Sequence, residues 1–140
     1  MKYAYVGCRT TRERNARGEG IKVFKIDGKS KEWKEIQTLK ILENPSYLAF
    51  DNNKEYLYTV HGDLSDVSSF KIKDDGTLEH LNTVSTHGKN PVYLSVDDTN
   101  QYIVVATLQG GSVLTYKRQK NGMLSEAIDI VRLQGKTEDN

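Results

Sequence analysis

Apolar residues along this chain fall in short runs and not at helical spacing. YLAFD, EYLYTVH, DVSSFKIK and TLEHLNTVS are rich in Tyr, Val, Phe, Ile and Thr. DNNK, GDLS and KDDG separate them, and DDTN, LQGG and QKNG separate the runs that follow. These are turn chemistries. No stretch holds a 3.6-residue apolar period. The pattern predicts an all-β chain with strands near 3–7, 20–27, 33–40, 47–51, 56–61, 66–73, 78–85, 92–96, 101–107, 112–118 and 124–133. Pro45 and Pro91 fall at strand starts, where a missing N–H is tolerated.

The runs repeat. NPSYLAFD at 44–51 returns as NPVYLSVD at 90–97, an offset of 46 residues. With that offset held, Tyr56-Leu57 falls on Tyr102-Ile103, Val67 on Val113, Phe70 on Tyr116, Gly76 on Gly122 and Leu78 on Leu124. Ile21 and Phe24 precede Val67 and Phe70 by the same distance, while Tyr3-Ala4-Tyr5 precedes Tyr56-Leu57-Tyr58 by 53. The first copy therefore carries seven extra residues, within CRTTRERNARGEG. Four short strands in a unit of this length form the blade of a β-propeller. The expected fold is a partial propeller of three four-stranded antiparallel blades, at about 1–43, 44–89 and 90–134, with a polar tail at 135–140. A β-sandwich with chance similarity is the alternative. The second strands, Tyr56–Val60 and Tyr102–Ala106, are apolar on both faces and are expected to be buried on both. The first copy lacks its innermost strand, and three blades leave two end faces uncovered. Such faces drive association. Either a homo-oligomer or further C-terminal blades is expected to cover them.

Composition narrows the classes. The 140 residues suit one domain, and 28% charged residues give a polar surface. A net charge of +1 gives no electrostatic footprint for nucleic acid. No apolar run approaches a membrane span, and with the strand-like YAYVG so near the start a secretory signal is not expected. Cys8 is alone, so no internal disulfide forms and a cytoplasmic setting is expected.

KYAYVG…GEGIKVFKID, ENPSYLAFD…KEYLYTVHG…VSSFKI and NPVYLSVDDTNQYIVVA…GGSV resemble the N-terminal blades of the lactonase family of seven-bladed propellers. Its members include a bacterial 6-phosphogluconolactonase and a fungal 3-carboxy-cis,cis-muconate lactonising enzyme. The resemblance implies hydrolysis of an anionic sugar lactone such as 6-phosphogluconolactone, without a cofactor. Muconate cycloisomerisation and a non-catalytic binding or assembly module are the alternatives, because fold alone does not fix activity. The small anionic lactone or carboxylate would be the partner.

Strand parity brings Asn44-Pro45, His61-Gly62-Asp63, His87–Pro91, Thr107–Gly111 and the long 8–19 loop to one face, where sites are usually built. Arg9, Arg12, Arg14 and Arg17 on that loop are candidate binders of a carboxylate or phosphate, joined by His87, Asn44 and Asn90. The bland alternative is a solvated loop paired with its own Glu13 and Glu19. His61 is the candidate general base, with Asp63 beside it and Tyr93 at a position where the family often has His. A strand-end His61 hydrogen-bonded to Asp63 is the structural alternative. The family often has Asn-Glu where His61-Gly62 stands and Asn-Tyr where Thr107-Leu108 stands. Asp51 and Asp97 read as turn caps, Gly110-Gly111 as a hairpin turn, and no metal-ligand spacing is present.

Overall fold

The computed structural model describes residues 2–40 and 42–135, so 136–140 of the expected tail lie outside the described residues. Three antiparallel meanders follow one another along the chain. The first is β1 (Lys2–Gly7), β2 (Ile21–Ile26) and β3 (Trp33–Leu39). The second is β4 (Pro45–Phe50), β5 (Tyr56–His61), β6 (Asp66–Ile72) and β7 (Leu78–Ser85). The third is β8 (Pro91–Val96), β9 (Tyr102–Thr107), β10 (Ser112–Arg118) and β11 (Leu124–Arg132). Strand order within each sheet follows chain order, as in a propeller blade. Neighbouring sheets meet through β1 and β4, through β4 and β5 against β8, and through β7 against β11. This is a partial propeller and not a sandwich. Its inner strands are β4 and β8, and β1 stands at the inner edge of the first sheet. Among the described residues the single departure from strand and turn is a 3-10 turn at Arg12–Arg14, which the pattern did not predict. It closes on Asn15, whose left-handed backbone (φ 50) lets its N–H donate to the Arg12 carbonyl.

Period-two alternation fills the seams. In the first seam Leu57, Phe70 and Leu78 of the second blade pack on Ile21 and Val23 of the first. In the second, Leu94, Ile103, Tyr116 and Leu124 pack on Tyr58, Val60, Val67 and Val84. Leu57, Phe70, Leu78 and Ile21 of the first seam are the 46-residue counterparts of Ile103, Tyr116, Leu124 and Val67 of the second, which explains the repeat in terms of packing.

Three hydrogen-bonded staples recur with the same logic. Tyr5 Oη donates to the Gly76 carbonyl (2.7 Å), and Tyr58 Oη to the Gly122 carbonyl (2.9 Å). Each glycine has a left-handed backbone (φ 84 and 85), and a Cβ there would strike the ring of Tyr3 or Tyr56. Gln37 exchanges both bonds of its amide with the Leu78 backbone, and Asn82 does the same with Leu124. The third staple is Asn44 and Asn90, described below.

The expectation that both second strands are buried on two faces holds for β5 and fails for β9. All residues of β5 after Tyr56 are buried, whereas β9 buries Ile103, Val105 and Thr107 and leaves the alternate positions partly open. Among the described residues nothing packs on that side of β9. The free face also lacks the staples. Val104 stands where Tyr58 stands one repeat earlier. Asp129, paired with Thr115, stands where Asn82 is paired with Ser69.

Candidate functional site

Loops of all three blades meet on the face that strand parity selected. Asn44, fully buried and left-handed (φ 47), organises it. Its Oδ1 accepts from the Thr10 and Thr11 amides (2.8 and 3.2 Å), and its Nδ2 donates to the Gly62 carbonyl (2.9 Å). Its own carbonyl accepts from Gly62 N–H. Asn90 (φ 62) repeats the device: Oδ1 accepts from Asp63 N–H (2.9 Å) and its carbonyl accepts from Leu108 N–H. Asn tolerates the left-handed region and leaves its amide free to bridge, and the following proline needs no donor. The NP pair thus fastens each inner strand to the loop of the preceding blade. Both asparagines, expected to bind substrate, turn their acceptor oxygens to backbone and are buried.

Asp63 takes the arginines. Arg9 Nη1 lies 2.5 Å from its Oδ2, and Arg14 grips both oxygens at 2.8 and 2.6 Å. The bidentate Arg14 bond above all, with Arg9 behind it, holds the Asp63 carboxyl below the usual carboxylate range. The loop is therefore clasped to the second blade and does not pair with its own acids. Glu19 instead bonds Lys22 and Lys40. Arg12 and Arg17 stay exposed, with no ion pair among the described residues. The Arg9 guanidinium lies against Gly62 and Ser46, so a side chain at Gly62 would displace it. Beside this clasp is an open depression of about 380 Å³, bordered by Thr11, Arg14, Asn44, Asp63 and Lys89 among others. Its charged lining is mixed: Arg14 and Lys89 against Glu13, Glu43 and Asp63.

His61 does not reach this surface. It is 1% exposed, with Nδ1 2.5 Å from the Glu43 carbonyl and Nε2 2.7 Å from Ser68 Oγ. Burial lowers its pKa, so the ring is held neutral. The alternative, a bond to Asp63, is absent among the described residues, because His61 points into the seam with Leu57 and Thr59 while Asp63 turns outward. A general base whose two nitrogens are both occupied and covered has no proton to take from a ligand here. Tyr93 is half exposed on β8, its ring 5.0 Å from that of Tyr47. His87 is exposed and left-handed (φ 45), its N–H donating to Ser85 Oγ. Sequence reasoning passed over Lys89, although it is the 46-residue counterpart of Glu43.

On the opposite face the caps are as expected. Asp51 Oδ1 accepts from Glu55 and Tyr56 N–H, and Asp97 Oδ1 from Gln101 and Tyr102 N–H. Among the described residues no group of three or more His, Cys, Asp or Glu is placed to hold a metal, and no helix is long and apolar enough to cross a membrane.

Repeat, blade order and staples define a propeller, and comparison with known proteins gives its kind. Residues 3–140 match the model of the family described as Lactonase, 7-bladed beta-propeller, and the chain belongs to that family. The 6-phosphogluconolactonase of Bacillus subtilis is 31% identical over 135 residues, which cover 94% of this chain and 38% of that protein. A solved Bacteroides fragilis protein, provisionally assigned as a 6-phosphogluconolactonase, superposes with a TM-score of 0.85 at 28% identity, covering 98% of this chain and 38% of that one. The periplasmic gluconolactonase of Pseudomonas aeruginosa superposes with a TM-score of 0.76 at 25% identity, over 92% of this chain and 38% of its own. The chain thus spans less than two-fifths of the length of these relatives.

Proposed function

We propose that this chain supplies the arginine-bearing sector of a lactonase site, for opening the ring of an anionic sugar lactone such as 6-phosphogluconolactone. Family membership together with the setting of Arg9 supports this reading. Asp63 orients one edge of that guanidinium and leaves its other N–H groups without a protein partner among the described residues. An oriented, half-neutralised arginine suits a phosphate or carboxylate better than a mobile one. Lys89 and Arg14 border the adjoining depression. In hydrolysis a water oxygen bonds to the lactone carbonyl carbon, the ring C–O bond breaks, and the proton of the water ends on the ring oxygen. Of the residues expected to serve that step, Tyr93 offers a phenol to the carbonyl, Asp63 positions Arg9 and Arg14, and His61 acts only through the loop it supports. Arg12, Arg17 and His87 are free to meet the substrate's outer charge. Further blades, or a second copy, cover the free face of the third blade and complete the site. A cytoplasmic setting fits the lone Cys8.

Loss of 6-phosphogluconolactone, followed for the chain and for Arg9→Ala, tests the proposal. The expected result is a raised KM in the variant with a smaller change in kcat, and an unchanged KM rejects the role of Arg9. A second reading, a non-catalytic binding module, is favoured by the acid-containing lining of the depression. Absence of turnover in a particle well above 15.9 kDa by light scattering selects it.

A further inference from the structure

The buried histidine that cannot reach the site is one end of a chain of contacts across the second blade. His61 Nε2 is 2.7 Å from Ser68 Oγ, Ser68 Oγ is 2.6 Å from Thr83 Oγ1, and Thr83 Oγ1 is 2.9 Å from His80 Nε2. The chain crosses β5, β6 and β7, from a fully buried end to one that meets solvent at the outer strand. At the buried end Nδ1 of His61 faces the Glu43 carbonyl, next to the Asn44 staple.

That carbonyl fixes every proton in the chain. A carbonyl only accepts, so His61 Nδ1 carries the hydrogen. In a neutral ring Nε2 then accepts, and Ser68 must donate to it. Ser68 has spent its one hydrogen, so Thr83 donates to Ser68. Thr83 has spent its own, so His80 donates from Nε2. We propose that His61, Ser68, Thr83 and His80 form one polarised hydrogen-bonded chain, which fixes the tautomer of both rings and fastens the Glu43–Asn44 loop beneath the candidate site. A proton added to His61 puts a hydrogen on Nε2, and Ser68 must then turn its own hydrogen to Thr83. Thr83 can accept from Ser68 and His80 together, so the contacts persist while the single fixed order of hydrogens is lost.

The surroundings favour the neutral state. The first blade turns Ile21 and Val23, with Leu39 and Leu42, toward this seam. The charged groups acting on His61 are Asp66, which favours protonation, and His80, which opposes it. Burial outweighs Asp66 in the direction of the shift. His80 packs on the Phe70 ring at 5.4 Å.

Long-range 15N–1H correlation spectra of the histidine-labelled chain test this directly, since it has only three histidines. Above the ordinary histidine range His61 is expected as the Nδ1–H tautomer and His80 as Nε2–H. In Ser68→Ala and in Thr83→Val, the latter at an exposed position, His80 should lose that preference and become a tautomer mixture, while His87 is unchanged. An Nε2–H tautomer at His61 overturns the proposal, as does a His80 signal that neither variant alters. The wild-type tautomers decide the matter even if Ser68→Ala fails to fold.

Discussion

The two seams of this arc use one set of fasteners and differ in what lies between them. Both carry an Asn-Pro hub, a tyrosine reaching a glycine turn, and an amide clamp on the next outer strand. The second seam is mainly apolar, with Leu94, Ile103 and Tyr116 closing on Tyr58 and Val67. The first has a smaller apolar cluster and, beside it, the buried polar line through His61 and Ser68. Where the second blade has His61, the third has Thr107, satisfied locally by Ser112 (2.6 Å). The periodic residues hold blades together, and the aperiodic ones, with the seven-residue insertion, shape the face where Arg9, Arg14 and Asp63 meet. Divergence between copies is thus the better pointer to function than the repeat itself.

The strongest challenge to this contrast is at its shared fastener. Asn44→Ala strips acceptors and donors from three backbone partners, those of Thr10, Thr11 and the buried Gly62, and we expect a loss of about 2–4 kcal/mol by denaturant titration. Asn90→Ala, with fewer bonds, should cost about 1–2 kcal/mol. Equal losses would show that the insertion loop does not depend on its hub.

Next comes the residue that separates the seams. His61→Ala leaves the Glu43 carbonyl and Ser68 without their partner and opens a cavity, for an expected loss of about 2–3 kcal/mol, against about 1 kcal/mol for Thr107→Ala. A His61 variant as stable as the Thr107 one would remove the distinction.

Acid should act on the two regions in order. His61 has a lowered pKa in the fold, so the unfolded chain binds its proton first. The stability this represents is complete above the ordinary imidazole pKa and drains away as pH falls from there toward the folded value. Asp97, held down to about 2 by Thr99 and backbone N–H groups, keeps its contribution above the ordinary Asp range and loses it only as pH falls toward about 2. Thermal melts across pH should therefore show a first decline, absent from His61→Ala, before the carboxylate one.

The smallest expected effect is at the clasp. Asp63→Asn releases Arg9 and Arg14 at a solvent-facing site, where ion pairs contribute little. Global stability should barely move, while amide exchange at residues 9–17 rises and the difference shrinks in high salt. A large drop in Tm would mean that the clasp belongs to the core of the seam.

Strand positions, the blade repeat, the caps at Asp51 and Asp97 and the face that gathers the loops were all legible in the sequence. They rest on period-two alternation, turn chemistry and a constant offset, which are local or periodic. What the sequence could not assign was direction at strand ends. His61 and Asp63 are two apart, yet a left-handed Asp63 (φ 66) turns one outward while the strand buries the other. Asn44 and Asn90 read as candidate substrate binders, and only the approach of the preceding blade makes them buried hubs. The arginines read as substrate binders or as a solvated loop paired with its own Glu13 and Glu19, until Asp63, 54 and 49 residues away in the chain, arrives to take two of them. Alternation fixes which side of a strand a residue occupies, and only tertiary packing decides whether that side meets water, a neighbouring blade or an oppositely charged partner.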